Sequence, residues 1–321
     1  MKPLLDALRN AIQHDVGRRG LARDSGPSLF GACPADFAAA CRSLASHSDP
    51  VLGVVTGFWI PSASLGETDG PLGAIYLART LVDLGIQVRL ITETHCLPPL
   101  WAGLDCVPGL EERVRVEVTS PRALQGLTHL LALERVGPGH TSVSLQMQPG
   151  CTDEDRVLFA AEVPIDQQGR CRTMRGLDIS DHMVEIAECF EQGKSGCETI
   201  GIGDGGNEIG MGKIPWRVIR DSIPLGGLIA CRVATDQLIV AGVSNWGAYA
   251  LANGVALLRG HSPSPDWFDA TLELAILRQM VERGPLVDGV TGRREPTVDG
   301  LPFETYIQPL QQIEAIMRGK P

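Results

Sequence analysis

Two carboxylates and an amide crowd into five residues of a glycine-rich stretch, Gly203-Asp204-Gly205-Gly206-Asn207-Glu208. A hard cation, or the amine of a small substrate, calls for such a set. A loop that only packs does not. Glycines at 201, 203, 205, 206, 210 and 212 open backbone conformations closed to other residues and let a ligand approach the main chain. Ahead of them, Thr199-Ile200-Gly201-Ile202 is short and β-branched, as a buried strand is. The polar groups are therefore expected on a loop at that strand's end. Asp204 and Glu208 are read as catalytic groups and metal ligands, with Asn207 as an oxygen donor to metal or substrate. Two other readings attach to the stretch. Gly201-x-Gly203-x-x-Gly206 matches a dinucleotide fingerprint. However, Asp204 and Glu208 would face the diphosphate, which is costly without an intervening cation. No strand ending in an acid follows about twenty residues later, so no nucleotide cofactor is expected. A turn in which Asp204 or Asn207 caps the next helix explains one polar residue but not three.

A second acidic loop follows another apolar strand. Val51-Leu-Gly-Val-Val-Thr-Gly57 leads to Glu67-Thr68-Asp69-Gly70-Pro71, and Pro71 opens an apolar-periodic run to Leu84. Proline suits the first turn of a helix, so Asp69 is placed to be that helix's N-cap. Glu67 lies before the cap and needs another reason. Loops at the carboxyl ends of parallel strands converge on one crevice, where Glu67, Asp69, Asp204 and Glu208 are expected to meet as the metal ligands.

The elements that must carry these loops alternate. Helices are expected over 3–15 and after Pro34. Then follow strand 51–57, helix 71–84, strand 86–92, a short helix near 97–103, and strands 113–118 and 128–133. An irregular excursion, with a β-hairpin around 157–174, occupies about 137–175. Helix 181–192, strand 198–203, strands near 228–242 and helices 245–259 and 266–283 complete the pattern. A Gly- and Pro-rich loop over about 284–309 is expected to lie over the site. This order predicts an α/β fold, a three-layer α/β/α sandwich with a mostly parallel central sheet, in a single domain over 1–321.

Composition bounds the partners. The chain has 321 residues, enough for a sizeable core, and a formal charge of −10, which argues against nucleic acid and anionic membranes. No run of eighteen apolar residues offers a membrane span, and the N-terminus has no signal-peptide core. The nine cysteines are dispersed and form no C-x-x-C, the usage of a reducing compartment. The expected location is cytoplasmic, or the mitochondrial matrix in a eukaryote. The seven histidines fall at no metal spacing.

Other residues carry two readings each. Arg135 ends the strand His129–Leu133 and can fork onto a substrate carboxylate, or pair with Glu134 or an edge carboxylate. Arg175 and Asp178 precede a helix, where Asp178 or Ser180 can simply cap. Asn245 starts a helix; an N-cap role there is compatible with binding an anion. Asp288 and Asp299 stand in Asp-Gly turns. Lys194-Ser195 hints at a phosphate loop, but Glu188 occupies the position of its first glycine, and that reading is set aside.

Several blocks together resemble the D-glutamate cyclase family, in its C-terminal domain and stand-alone microbial relatives. They are ETDGP at 67–71, LERVGP at 133–138, MRGLDIS at 174–180, GDGGNEIGMGK at 203–213, VSNWGAYAL at 243–251, and DGVT with TVDGL at 288–301. They run in the expected order over nearly the whole chain. The eukaryotic members carry a further N-terminal domain, to which none of these blocks corresponds. The resemblance implies a lyase that closes D-glutamate to 5-oxo-D-proline and releases water. It also supports a functional role for Asp178.

On that reading Mg2+ or Mn2+ sits among Glu67, Asp69, Asp204 and Glu208 and polarises the γ-carboxylate. A carboxylate or metal-bound hydroxide takes the amine proton, and Arg135 or Arg175 holds the α-carboxylate. Asn207, Asn245 and Asp288 are the remaining substrate-binding candidates. The expected partner is a small amino-acid substrate, with a homodimer left open. A metal-dependent hydrolase of a small phosphate ester or amide would use the same pocket, and a non-catalytic ligand-binding domain would need the pocket without an activated base.

Overall fold

Eight strands are laid down in the order β1 (Val51–Thr56), β2 (Trp59–Ile60), β3 (Leu65–Gly66), β4 (Gln87–Thr92), β5 (Arg115–Val118), β6 (His129–Leu133), β7 (Glu198–Gly203) and β8 (Gln237–Val240) in the computed structural model, which describes residues 1–191 and 196–319. The Lys194-Ser195 pair lies outside the described residues. Six strands form one sheet, ordered β5-β4-β1-β6-β7-β8 and parallel at every pairing; β2 and β3 form a small antiparallel hairpin. The expected three-layer α/β/α sandwich with a parallel central sheet is the architecture observed. The chain builds outward from β1 to β4 and β5, then returns to set β6 on the other side of β1. That reversal between β1 and β6 is the point where an open parallel sheet leaves a crevice beyond its carboxyl ends.

Alternation along the strands makes the three layers. Leu52, Val54, Leu131, Leu133, Ile200 and Ile202 join one core, while Val55, Leu130, Ala132 and Val240 join another across the sheet. The first core takes helix Lys2–Ile12, which buries Leu5, Leu8, Ala11 and Ile12 on one stripe. Leu5, Leu8 and Ile12 each contribute roughly 1.5–3 kcal/mol. Helix Ser244–Leu258 is different: every residue from Ser244 to Ala256 is buried. It is apolar on all sides, as a helix at the centre of a layer must be.

This central helix is tied to helix Pro71–Asp83 by an exchange of caps. The position before Pro71 is Gly70, at φ 90, and no side chain of its own segment caps that helix. Asn245 Oδ1 does so from across the interface, accepting the N–H groups of Gly70 at 2.8 Å and Gly73 at 2.7 Å. Asp69 returns the contact: Oδ2 accepts from Ser244 N–H at 2.9 Å and Oδ1 from Asn245 N–H at 2.8 Å. Asp69 is thus a cap, but of the other helix, and Asn245 caps helix 71–83 rather than its own. Gly73 permits the approach, because a Cβ there would lie 2.7 Å from Asn245 Oδ1. Asn245 is fully buried and its Nδ2 donates to Thr68 O. Its amide serves the caps and does not face a ligand.

Four expectations change. The hairpin expected at 157–174 is replaced by helices Ser142–Met147 and Asp153–Glu162, each started by a capping box, Thr141 with Ser144 and Thr152 with Asp155. Helix 181–192 reduces to the turns Ser180–His182 and Ala187–Phe190. Between them Val184 is extended, its carbonyl accepting from Arg135 and its N–H donating to Glu93. Of the strands near 228–242, Gln237–Val240 forms; Gly226–Ile229 is a helical turn. The loop after residue 284 ends in helices Phe303–Tyr306 and Gln308–Met317.

Asn245→Ala leaves the buried Gly73 N–H without its acceptor, while Gly70 N–H keeps Asp69 Oδ1 at 3.0 Å, and is expected to cost roughly 1–3 kcal/mol. A thermal melt reads this directly. An unchanged melting temperature would mean that helix 71–83 starts without that cap.

Candidate active site

Loops from the carboxyl ends of β1, β6 and β7 meet at the switch point, and each brings one acid. Asp69 follows β1, Glu134 follows β6 and Asp204 follows β7; their carboxylate oxygens lie within 4.8 Å of one another and all three residues are buried. Glu134 has a left-handed backbone, φ 44, a conformation a non-glycine residue keeps only where its surroundings enforce it. Ser244 Oγ donates to its Oε2 at 2.6 Å. Gly70 must be glycine: its φ is positive, and a Cβ would sit 2.6 Å from Thr56 Oγ1 and 2.9 Å from Glu134 Cβ. The Oδ2 of Asp204 is buried without a hydrogen-bond partner.

An arginine from the N-terminal segment completes the cluster. Arg19 Nη1 lies 2.6 Å from Asp204 Oδ1, and Nη2 lies 2.8 Å from Asp299 Oδ2 in the closing loop. Asp15 shapes the turn that presents it, accepting the N–H groups of Arg19, Gly20 and Leu21 at 2.8, 2.9 and 3.1 Å. Arg19, Glu67, Glu134, Arg175, Asp204 and Asp299 line a cleft of about 400 Å3, within the range of small-molecule sites.

Burial, with the neighbouring negative charges added, raises the carboxyls of Glu67, Asp69 and Glu134 well above the usual range. Burial also raises Asp204, against the pull of Arg19. Asp299 is pushed up to about 7 by burial, with Arg19 opposing and Asp204 adding to the rise. Arg19 keeps its charge: burial works against it, and the Coulomb attraction of Asp204 and Asp299 prevails.

The other sequence candidates fall elsewhere. Glu208 stands close enough to add its charge to Glu134 and Asp204, but its oxygens are spent on the backbone. Its Oε1 accepts from Asp204 and Gly205 N–H at 3.0 and 2.6 Å, and its Oε2 from Gly206 N–H at 2.8 Å. It folds the glycine loop back on itself and so aims Asp204. Asn207 Nδ2 donates to Arg172 O at 2.8 Å, while its Oδ1 is buried without a partner.

Glu67 lines the cleft beside Gly289, where a Cβ would collide with its carboxylate. Arg135 is turned away from the cleft: it is buried, ion-paired with Glu93, and donates to Gly57 O and Val184 O. A guanidinium with both Nη atoms so engaged, only its buried Nε unpartnered, does not reach a substrate. Arg175 does line the cleft, and its Nη2 donates to Val290 O at 2.8 Å.

Asp178 is an exposed turn former, its Oδ1 accepting from Ser180 N–H and Oγ at 3.0 and 2.6 Å. Asp288 organises the closing loop, accepting from Val290, Thr291 and Gly300 N–H. Both act on their own loops, so neither has the catalytic or substrate-binding place expected of it. Among the described residues no cysteine lines the cleft; burial pushes the Cys33 and Cys171 thiols up to about 11.

Sequence reasoning missed Glu134, Arg19 and Asp299 as site residues. Glu134 had a signal, an acid directly after a fully apolar strand, in the same position as Asp204. Arg19 had none, because its partners lie in distant loops.

Three convergent carboxylates with an unpartnered oxygen among them suit a hard cation. They hold negative charge in a place withdrawn from water, which a cation or a bound proton must offset. With cation removed by chelator, the sign for Asp299 follows from its raised value. The folded state keeps a proton that the unfolded chain releases above its ordinary 3.8, so this stability is present at low pH and lost as pH rises through about 7. The melting temperature is expected to fall between about pH 4 and 7, and less steeply in Asp299→Asn; equal slopes would reject the assignment. Glu208→Gln is expected to lower the melting temperature by several degrees, since an amide cannot accept all three N–H groups. A variant as stable as the original would show that the loop does not depend on this clamp.

Comparison with known proteins agrees with the geometry. The family model described as D-glutamate cyclase-like, C-terminal, matches residues 8–314. The human protein named D-glutamate cyclase, mitochondrial, is 29% identical over 337 aligned positions, covering 95% of this chain and 50% of the human protein. The chain thus spans about half the length of that curated relative. Among the described residues no helix is long and apolar enough to cross a membrane. With the family's match running across nearly the whole α/β sandwich and all of its acidic loops, this chain belongs to the D-glutamate cyclase-like family, by the domain that is C-terminal in its longer members.

Proposed function

We propose that this protein is a lyase that closes D-glutamate to 5-oxo-D-proline with release of water, assisted by Mg2+ or Mn2+ held by Asp69, Glu134 and Asp204. The observation that carries the reading is the buried trio at the carboxyl ends of β1, β6 and β7, with Asp204 Oδ2 left unpartnered beside a cleft of amino-acid size. Family membership and the name of the human relative support the substrate. Free thiols such as Cys33 and Cys171 suit a reducing compartment, the cytoplasm or the mitochondrial matrix.

The bound cation supplies Lewis-acid charge to the γ-carboxylate. The chain's residues do the rest. Arg175, at the cleft wall, takes the α-carboxylate through the N–H groups it does not spend on Val290. Asp299, with a pKa near neutrality, accepts a proton from the α-ammonium group. The freed amine attacks the γ-carbon, a C–N bond forms and a C–O bond breaks. The two protons lost by the ammonium leave on that oxygen as water, so Asp299 is returned to its starting state. Glu208 and Asp15 do not touch substrate; they hold Asp204 and Arg19 in place.

Incubating the protein with D- or L-glutamate and Mn2+ or Mg2+, followed by chiral chromatography, is expected to yield 5-oxo-D-proline. Asp204→Asn and Glu134→Gln should each lower turnover by about a hundredfold or more and weaken Mn2+ binding in calorimetry. Arg175→Gln should raise KM by about tenfold with a smaller change in kcat. Absence of oxoproline alongside release of phosphate from small esters would assign a hydrolase instead.

A further inference from the structure

A second cleft, of about 490 Å3, opens behind the catalytic loops and shares no lining residue with the first. Val136, Ile209 and Met183 give it an apolar floor, the exposed Ile165 stands at its rim, and Arg170 and Arg232 are among its lining residues. Arg232 is unusual. Among the described arginines that make no hydrogen bond or ion pair through the side chain, Arg18, Arg23, Arg42, Arg115, Arg122 and Arg278 are exposed, and Arg232 alone is half-buried. A guanidinium partly withdrawn from water and without a protein partner leaves its N–H donors open to an anion.

Two neighbours flank this charge. Gly169, at φ 69, lies against the group, and a Cβ there would be in ordinary contact, 3.9 Å from Arg232 Nη1. The buried His140 ring is pushed down to about 4 by burial and by the charge of Arg232, and its Nε2 has no hydrogen-bond partner. Arg170 is only loosely engaged, its Nε 3.8 Å from Asp178 Oδ2.

We infer that this cleft binds a small organic monocarboxylate, its anion on the Arg232 guanidinium and its apolar body against Val136, Met183 and Ile209, with Ile165 at the rim. The acids Asp166 and Glu185 also line the cleft and disfavour anions of higher charge. The site lies on the reverse side of the catalytic loops. Arg232 N–H donates to Pro138 O, Cys231 N–H to Gly206 O and Gly212 N–H to Val233 O. Occupancy therefore bears on the segments that carry Glu134 and Asp204. The inference does not depend on the cyclase reading.

Calorimetric titration with cyclopentanecarboxylate, a compact apolar ring bearing one carboxylate, tests it. Saturable binding is expected in the original protein, weakened at least about tenfold in Arg232→Gln and unchanged in Arg175→Gln, with all three proteins melting alike. Absence of saturable binding, equal binding by Arg232→Gln, or loss in Arg175→Gln instead would each overturn the proposal. Tighter binding of inorganic phosphate than of the carboxylate would overturn the ligand class. Glutamate turnover by the original protein is measured in parallel, so failure of the cyclase reading is seen separately.

Discussion

Negative charge gathered away from water sets the terms for the rest of this molecule. Glu67, Asp69, Glu134, Asp204 and Asp299 are drawn together at the carboxyl ends of the central strands, and Arg19 stands among them with a full positive charge. Such a cluster cannot hold itself together, because every carboxylate raises the cost of ionising the next. The surrounding loops must restrain it, and they use further carboxylates to do so. Asp15, Glu208 and Asp288 each accept backbone N–H groups of a single loop, and those loops present Arg19, Asp204 and Asp299 in turn. Irregular backbone has no ladder to satisfy its donors. One side chain accepting two or three of them both satisfies and stiffens the turn.

The helical layer serves the same end. Helix 244–258 is buried along nearly its whole length, which leaves its first N–H groups no access to water. Asp69 meets them, and Asn245 meets those of helix 71–83. A residue of the acidic cluster is thereby also a structural joint between two core helices. Ser244, in the same first turn, reaches Glu134. Packing of the core and placement of the acids are one arrangement, and disturbance of either is felt in the other.

Much of this was legible in the residues. Alternating apolar runs and the helix start at Pro71 set the order of elements, and the glycine stretch with Asp204 marked the site. The polar side chains were harder to read. Asp69 looks like the cap of the helix it precedes and caps another. Glu208 looks like a ligand, yet its two oxygens are spent on the backbone of residues 204–206. Arg135 looks like a carboxylate clamp, but Glu93, from the end of β4 on the far side of β1, already occupies it. In each case the residue type was informative and the partner was not, since a carboxylate suits a metal, an arginine or an N–H group equally well.

By itself the sequence determined the fold class, the parallel sheet and the family, because periodicity and long motif blocks are local properties of the chain. Tertiary structure decided which acids meet. Glu134 enters the trio because β6 returns beside β1, and Arg19 joins because the Asp15 turn docks an N-terminal loop against the closing loop. Both depend on how the strands are ordered and on which buried donors remain to be satisfied. Those are contacts between segments far apart in the chain, and no local pattern of residues encodes them.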